Sequence, residues 1–518
     1  MKNYEQVIAV AVAVAVLLCV PCTSAAQSTS RPNIMFICVD EMHPAISGFR
    51  GNPVAKTPNL DALAADGTHF TRDYVACPVC GPSRAALMTG KYIFQNKTWY
   101  NGIAWPEDEA TLARKVTGSG YYTALIGKMD CPGVYGKLGF SEEWDCSQRR
   151  LKTAADGKRV FLRPRYAKGH LAVKTFKLED YQGKKFEVGQ KAFGDYAEDH
   201  PTTHRALRFL KERKSDGKPW MMYVGYNMPH WPLTFPRQYY DMYADVDIPM
   251  PYDAKFPNKD MHPALQYFQK WDGLDVPPDS EKFKKALKGY YGMVSCVDAM
   301  VGELIAELKK DGMYENTYII FTSDHGDNLG EHGLIGNKHT PMNGSVSVPL
   351  VIAGPGVKRG AKVDTPVSMV DLYPTIMDMI GIDYHDPAMP GKDLLPVLQG
   401  KEAAADRTVL SEWHGTGFPG AWYMLASKQY KYIYYEGDRP SLFDVEADPK
   451  EIHDLALDPA YAETIKMFEA KLNTILDPIK SAKLARKEEG LMTADGRDLM
   501  LDNVAKPEAT GRKRGKRR

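Results

Sequence analysis

The amino-acid sequence has no excess of charge of either sign. Its 66 lysines and arginines nearly cancel its 65 aspartates and glutamates, which leaves a formal net charge of +1 over 518 residues. Proteins that bind nucleic acid or anionic membranes usually carry a basic surface, so the composition predicts no nucleic-acid partner. Residues 481–518 are charged, lack hydrophobic periodicity and end in a basic run. We expect a disordered tail there, with binding to a polyanion as the alternative.

Cysteine is also scarce, with eight residues in the whole chain. Cys77 and Cys80 form a C-x-x-C pair, but no second pair completes a zinc site of the usual spacing. Cys131 and Cys146 are candidates for a disulfide in an oxidising compartment. The sequence leaves their pairing open.

Beyond its first residues the chain lacks an apolar run long enough to cross a bilayer. Residues 1–26 combine a positive start at Lys2, a short apolar run from Val7 to Val20 and small residues up to Ala26. This combination is typical of a cleaved secretory signal peptide. It predicts a secreted or periplasmic protein, and a retained membrane anchor is the alternative.

Apolar runs alternate with helical patterns through residues 27–390, which we interpret as one large domain. Four runs end in polar residues: 34–39 before Asp40-Glu41, 121–126 before Lys128, 220–226 before His230, and 318–322 before Asp324-His325. Such runs are typical of buried parallel strands, and their alternation with helices predicts an α/β sandwich around a mostly parallel sheet. Because open α/β sheets bind ligands at the carboxyl ends of their strands, we expect these polar residues to share one site.

The pattern changes from about residue 391. Residues 422–425 and 430–434 alternate in polarity and are flanked by turn residues, as antiparallel strands are. A helical pattern follows from about Pro459 to Leu476. These features predict a smaller α+β domain over residues 391–480.

Residues 80–90 read Cys-Gly-Pro-Ser-Arg-Ala-Ala-Leu-Met-Thr-Gly. As local structure, the segment predicts a turn that leads into a helix. Its pattern, C-x-P-S-R-x4-T-G, also resembles the signature of the type I sulfatases, which have an alkaline-phosphatase-like fold. In that family a formylglycine-generating enzyme oxidises the cysteine to formylglycine, which serves as the nucleophile. The resemblance implies the same modification at Cys80 and the same maturation partner.

The resemblance also implies a metal site. Asp40 and Glu41 resemble the family's first acidic pair, and Asp324 and His325 in Ser-Asp-His-Gly resemble the second; the modified Cys80 completes the set. Oxygen ligands favour one Ca²⁺ ion, with Mg²⁺ as the alternative. Glu41 departs from the family's usual Asp, and an Asp-Glu pair after a strand is by itself often a solvated turn.

Further residues resemble the family's catalytic groups. Arg84 would pair with the acidic residues around the nucleophile, and Lys128 and Lys338 would contact the sulfate. His230, in Pro-His-Trp-Pro, would assist departure of the leaving group. Asp130 stands where the family usually has His, and we expect it to accept the proton when sulfate is expelled.

Together these features predict a sulfuric ester hydrolase that forms a covalent sulfoenzyme intermediate on the formylglycine hydrate and releases sulfate from a sulfated small molecule or glycan. One alternative is a phosphodiester or phosphonate hydrolase of the same superfamily. Another, suggested by Asp130, is a catalytically impaired protein that binds sulfated glycans. No motif identifies the substrate, its linkage or the oligomeric state.

Overall fold

The computed structural model describes residues 31–101, 110–130, 138–144, 152–153, 159–160, 199–231, 233, 235–274, 280–336, 338–382, 384, 386–402, 406–415 and 417–489. The predicted signal peptide, Cys131, Cys146 and the basic C-terminal run lie outside these residues. The predictions made for them therefore stay predictions.

The described part of the chain is built on a nine-stranded sheet. Its strands are β1 (Asn33–Asp40), β2 (Thr68–Tyr74), β3 (Tyr122–Gly127), β4 (Glu142–Trp144), β7 (Trp220–Pro229), β8 (Thr317–Ser323), β9 (Ser347–Ala353), β10 (Ala361–Val363) and β11 (Val367–Ser368); β5 (Lys152–Thr153) and β6 (Arg159–Val160) form a separate pair. The strand order in the large sheet is β10-β2-β9-β8-β1-β7-β3-β4, with β11 paired to β2. β8, β1, β7, β3 and β4 run parallel, whereas β9 is antiparallel to β8 and to β2. The predicted mostly parallel α/β sandwich is confirmed.

Strand β1 lies at the centre of the sheet and is buried on both faces. All eight of its residues are buried, which explains why its sequence is a continuous apolar run rather than an alternating one. Met35, Ile37 and Val39 enter one hydrophobic core, and Ile34 and Phe36 enter the core on the opposite face. This alternation is the two-residue period of a strand, and Asp40 is the last residue of the strand.

Helices cover both faces. They are α1 (Pro58–Asp66), α2 (Cys80–Thr89), α3 (Ile93–Asn96), α4 (Leu112–Gly118), α5 (Asp199–Arg213), α6 (Arg237–Asp241), α7 (Pro263–Trp271), α8 (Ser280–Lys310), α9 (Asn343–Val346), α10 (Leu372–Met379), α11 (Leu395–Leu398), α12 (Ala462–Ile475) and α13 (Pro478–Glu488). Short 3₁₀ helices span Gly48–Arg50, Tyr314–Asn316, Glu331–Gly333, Met369–Asp371, Leu455–Leu457 and Pro459–Tyr461. α8 buries Val297, Val301 and Leu304 on one face of the sheet, and α2 packs on the other with Leu87 and Met88. No described helix combines the length and the hydropathy that a membrane span requires.

A second sheet lies towards the C-terminus. It is antiparallel, with strands β12 (Val409–Trp413), β13 (Trp422–Ala426), β14 (Tyr430–Tyr435) and β15 (Ser441–Asp444) in that order. Phe468 and Leu472 of α12 join its hydrophobic core. The antiparallel strands and the helix predicted from the sequence are present, and the domain boundary near residue 391 stays a prediction.

The start of the predicted disordered tail is instead helical. α13 spans Pro478–Glu488, so the prediction is wrong for residues 481–488. The side chain of Asp477 caps the helix, Ala482 and Ala485 are fully buried, and Arg486 pairs with Glu436 through two N–H···O contacts of 2.6 and 2.8 Å. The charged residues on the exposed face concealed this short apolar stripe in the sequence.

Candidate active site

The polar residues that follow four neighbouring strands meet at one edge of the central sheet. Asp40 is the last residue of β1, Lys128 follows β3, His230 follows β7 and Asp324 follows β8. Since β8, β1, β7 and β3 are adjacent and parallel, their carboxyl ends lie side by side. This is the position at which open α/β sheets place their ligands.

Helix α2 brings Cys80 to the same edge. Cys80 is the first residue of the helix, Val79 precedes it in an extended conformation, and Pro82 lies in the first turn, where a missing N–H costs nothing. The motif thus starts a helix and also delivers a side chain to the site. Cys80 Sγ lies 3.2 Å from His325 Nε2, 3.5 Å from Lys338 Nζ and 3.8 Å from Asp40 Oδ1.

The surroundings of Cys80 are electropositive although the residue is buried. Burial and the charge of Asp40 act to raise the pKa of the thiol, but Lys338, Lys128 and His325 outweigh them and lower it. The start of a ten-residue helix adds a positive dipole end at the same point. An anion at this position is therefore stabilised from several directions.

Arg84 joins the helix to the strand ends. Its Nε donates to Asp324 Oδ2 (2.9 Å), its Nη1 donates to Lys128 O and to Tyr223 Oη (both 2.8 Å), and its Nη2 lies 3.5 Å from Asp40 Oδ2. The guanidinium is fully buried, and its planar fork suits several fixed contacts at once. It therefore orients the carboxylates rather than reaching out to a substrate.

Lys128 lies between two carboxylates. Its ammonium contacts Asp40 Oδ2 closely and lies 3.2 Å from Asp130 Oδ2. Burial alone would lower the pKa of Lys128, but Asp130 and Asp40 raise it well above its usual value. Asp130 has a left-handed backbone with φ of 55° and is buried. A carboxylate thus occupies the position where His was expected from the family pattern.

Glu41, His230 and Lys338 form a second group at the mouth of the site. Lys338 Nζ lies 2.9 Å from His230 Nε2 and 3.6 Å from Glu41 Oε1, and Glu41 Oε2 lies 3.1 Å from His230 Nε2. The side chains of His230 and Lys338 are 18% and 12% exposed, against 1% for Cys80 as a whole residue. His230 and Lys338 therefore lie on the more exposed side of the site.

The hydrogen-bond partners of His230 fix its protonation. Nδ1 lies 2.5 Å from the carbonyl oxygen of Trp231 and must donate to it, whereas Nε2 faces the ammonium of Lys338 and must accept. Burial lowers the pKa of His230 to about 4, so the ring is neutral near neutral pH. Burial also raises the pKa of Glu41 to about 7, and the Glu41–His230 contact is therefore not a full ion pair.

Two groups of described donor atoms are close enough together to hold a metal ion. One comprises Asp40, Cys80, Asp324 and His325, and the other comprises Asp40, Glu41 and His230; within each group the donor atoms lie within 4.8 Å of one another. The two groups share Asp40, and each faces a lysine ammonium, since Lys338 Nζ lies 3.5 Å from Cys80 Sγ and 3.6 Å from Glu41 Oε1. Conversion of the Cys80 thiol to an oxygen donor would give the first group a ligand that suits Ca²⁺ or Mg²⁺.

Unsatisfied carboxylate oxygens also indicate a cation, because buried polar atoms normally have hydrogen-bond partners. Glu41 contacts His230 and Lys338, but neither of its carboxylate oxygens has a hydrogen bond from the described residues. The residues present thus fit an added cation.

Sequence reasoning missed Ser83 and Tyr223. The hydroxyl of Ser83 donates to the backbone oxygen of Asp324, and the hydroxyl of Tyr223 accepts from Arg84. Ser83 lies inside the C-x-P-S-R motif, so its position in that motif could have identified it as a site residue. Tyr223 lies within an apolar strand run, where nothing in the pattern distinguishes it.

Comparisons with known proteins agree with this geometry. A family model described as Sulfatase matches residues 32–382, more than half of the chain. The chain belongs to the sulfatase family. A second model, described as N-sulphoglucosamine sulphohydrolase, C-terminal, matches residues 330–477 of this sulfatase.

Individual relatives support the same class. The choline-sulfatase of Rhizobium meliloti (strain 1021) is 30% identical over 442 residues, which cover 84% of each chain. A protein solved with its substrate D-glucosamine-2-N,6-O-disulfate has a TM-score of 0.68 at 22% identity and covers 89% of this chain and 98% of its own. The phosphonate monoester hydrolase of Agrobacterium radiobacter also scores 0.68, at 23% identity, with coverages of 90% and 99%. The two structures show the fold that the motif implied.

The buried contacts of Arg84 predict a large loss of stability when it is replaced. Arg84→Met leaves Asp324 and Asp40 buried without their guanidinium, and loss of one partner of a buried ion pair typically costs about 3–5 kcal/mol. We expect urea denaturation to show a decrease of that size in the free energy of unfolding. The matched control is Arg208→Met, on the exposed face of α5, which should change stability by less than about 0.5 kcal/mol. Equal effects of the two variants would contradict the central role of Arg84.

Proposed function

We propose that this sulfatase releases inorganic sulfate from a sulfated carbohydrate, with a formylglycine formed from Cys80 as its nucleophile. The observation that carries the proposal is the position of Cys80, within 3.8 Å of Asp40, His325 and Lys338 at the start of α2. The carbohydrate class is supported by the match to the N-sulphoglucosamine sulphohydrolase C-terminal model and by the structural neighbour bound to a sulfated glucosamine.

The proposal includes a divalent cation, Ca²⁺ before Mg²⁺, held by Asp40, Glu41, Asp324, His325 and the modified residue 80. When bound, the cation would hold sulfate oxygens and polarise the S–O bond as a Lewis acid. Formylglycine would supply a hydrate with one hydroxyl to attack sulfur and a second whose deprotonation releases sulfate. We further propose a secreted or periplasmic location and maturation by a formylglycine-generating enzyme.

The side chains of the protein have separate tasks in this scheme. Lys128 and Lys338 bind the sulfate oxygens and stabilise the charge that develops there. His230 has no proton on Nε2 in the described tautomer, so Lys338 supplies the proton for the leaving oxygen, directly or through His230. Asp130 accepts the proton that allows sulfate to leave. Its backbone oxygen lies 3.2 Å from where a β-carbon on Gly81, the residue after Cys80, would stand, so the Asp130 backbone packs against the start of α2.

A phosphonate or phosphodiester hydrolase of the same superfamily is the second candidate. The observation that favours it is the phosphonate monoester hydrolase among the structural neighbours. Both classes of substrate carry a single negative charge, so the site's electrostatics do not separate them. A direct comparison of rates is needed.

Replacement of Cys80 tests the nucleophile. Cys80→Ala should lower kcat by about 10³-fold or more, because removal of a covalent nucleophile leaves only binding and electrostatic effects. Mass spectrometry of the wild-type peptide should show an aldehyde in place of the thiol. Cys77→Ala, at the neighbouring buried cysteine, should keep both the modification and most of the turnover. An unmodified Cys80 in fully active enzyme would overturn the mechanism.

Replacement of Asp130 tests the release step. Asp130→Asn keeps the size of the side chain but cannot accept a proton, so the sulfated enzyme should accumulate and be visible by intact-protein mass spectrometry. Asp130→His introduces the residue that the family usually has and should retain turnover. If Asp130→Asn turns over at the wild-type rate, Asp130 has no part in release. Substrate binding without turnover in the wild-type protein would instead favour an impaired, glycan-binding role.

A substrate panel tests the reaction class and the substrate. We expect sulfate release from one or more sulfated mono- or disaccharides, and kcat/KM for an aryl sulfate at least about tenfold above that for the matching aryl phosphonate and phosphodiester. A tenfold ratio corresponds to about 1.4 kcal/mol of transition-state discrimination. The opposite order of rates would support the phosphonate or phosphodiester alternative. Release from aryl sulfate with none from any saccharide would overturn the carbohydrate assignment alone.

A further inference from the structure

Glu41 has an unusual backbone conformation. Its φ is 64°, in the left-handed region that side chains other than glycine and asparagine seldom adopt. This conformation turns the carboxylate back towards the mouth of the site, where it contacts His230 and Lys338. An unfavourable conformation of this kind persists only where its surroundings enforce it.

The hydroxyl of Tyr290 holds this backbone from both sides. It donates to the carbonyl oxygen of Glu41 at 2.6 Å and accepts from the N–H of His43 at 2.8 Å. Tyr290 lies on the long helix α8 and is 3% exposed, so water cannot easily replace it. On the other side, the N–H of Glu41 donates to Asp324 Oδ1 at 3.1 Å. Glu41 is thus fixed between a metal-site carboxylate and a helix 249 residues away in the sequence.

We propose that Tyr290 is a positioning residue: its hydroxyl fixes the left-handed turn at Glu41 and so directs the Glu41 carboxylate into the proposed divalent-cation site. The inference rests on the proposed function, in which Glu41 helps to hold the divalent cation. Without the hydroxyl, the Glu41 carbonyl and the His43 N–H would be buried without their hydrogen bonds to Tyr290, which is energetically unfavourable. The backbone at Glu41 would then adopt a different turn, and this change would move the carboxylate away from the site.

The neighbouring Tyr291 offers a matched control on the same helix. It is buried to a similar extent, and its hydroxyl accepts from Asn52 Nδ2 at 3.0 Å while its ring packs edge-on against Tyr243. This hydroxyl bonds to the turn at Asn52 rather than to a residue of the site. Tyr291→Phe therefore removes a comparable hydroxyl from the same helix without affecting Glu41.

The test is a calcium titration of the full-length, matured protein after chelation, with the midpoint of thermal unfolding as the readout. Tyr290→Phe should raise the calcium concentration for half-maximal stabilisation about tenfold, the ratio expected when about 1.4 kcal/mol of binding free energy is lost. Tyr291→Phe should stay within about twofold of wild type. Both variants keep the aromatic ring, so their unfolding midpoints at saturating calcium report any general loss of packing separately.

A double-mutant cycle with Glu41→Ala separates positioning from a general structural effect. If Tyr290 acts through Glu41, Tyr290→Phe adds no further calcium dependence in the Glu41→Ala background. If the two substitutions have fully additive effects while calcium still raises the unfolding midpoint of the wild-type protein, the inference about Tyr290 is overturned. The proposed function then still stands. A wild-type protein with no calcium-dependent shift would overturn the metal assignment and this inference together.

Discussion

The buried contacts of Arg84 are the constraint on which the rest of the site depends. One guanidinium bonds to Asp324, lies beside Asp40, and donates to the backbone of Lys128. It thereby ties α2 to the ends of three strands that are separate in the sequence. Because removal of one partner from a buried ion pair is strongly destabilising, the packing of α2 on the strand ends depends on this guanidinium.

The C-terminal sheet supports the same helix from the other side. The N–H of Glu412 in β12 donates to the carbonyl of Ala76 at 2.9 Å, just before the motif, and its carboxylate accepts from the N–H of Phe94 at 3.0 Å, just after it. Glu488 of α13 accepts from the indole of Trp99 at 2.7 Å. The segments on both sides of Cys80 are therefore anchored to elements more than 300 residues later. The smaller sheet thus contributes to the geometry of the site without supplying its reacting groups.

The position of the site was predictable from the sequence because it follows from sheet geometry. Apolar runs that end in polar residues predicted parallel strands, and neighbouring parallel strands must bring Asp40, Lys128, His230 and Asp324 together. The residues that hold those groups were not predictable in the same way. Tyr290 reaches the site through tertiary packing of a helix, and an apolar helical pattern does not reveal which hydroxyl faces a strained turn. Side chains that act on the backbone of distant residues leave no local signal.

The two departures from the family pattern differ in their physical consequence. Glu41 keeps the charge type of the family's usual Asp and lengthens the side chain, whereas Asp130 adds a carboxylate 3.2 Å from Lys128 where the family usually has His. The added carboxylate lowers the positive potential that an anion bound near Lys128 would experience. A phosphate monoester, which carries two negative charges near neutral pH, is disfavoured by this arrangement more than a sulfate ester, which carries one.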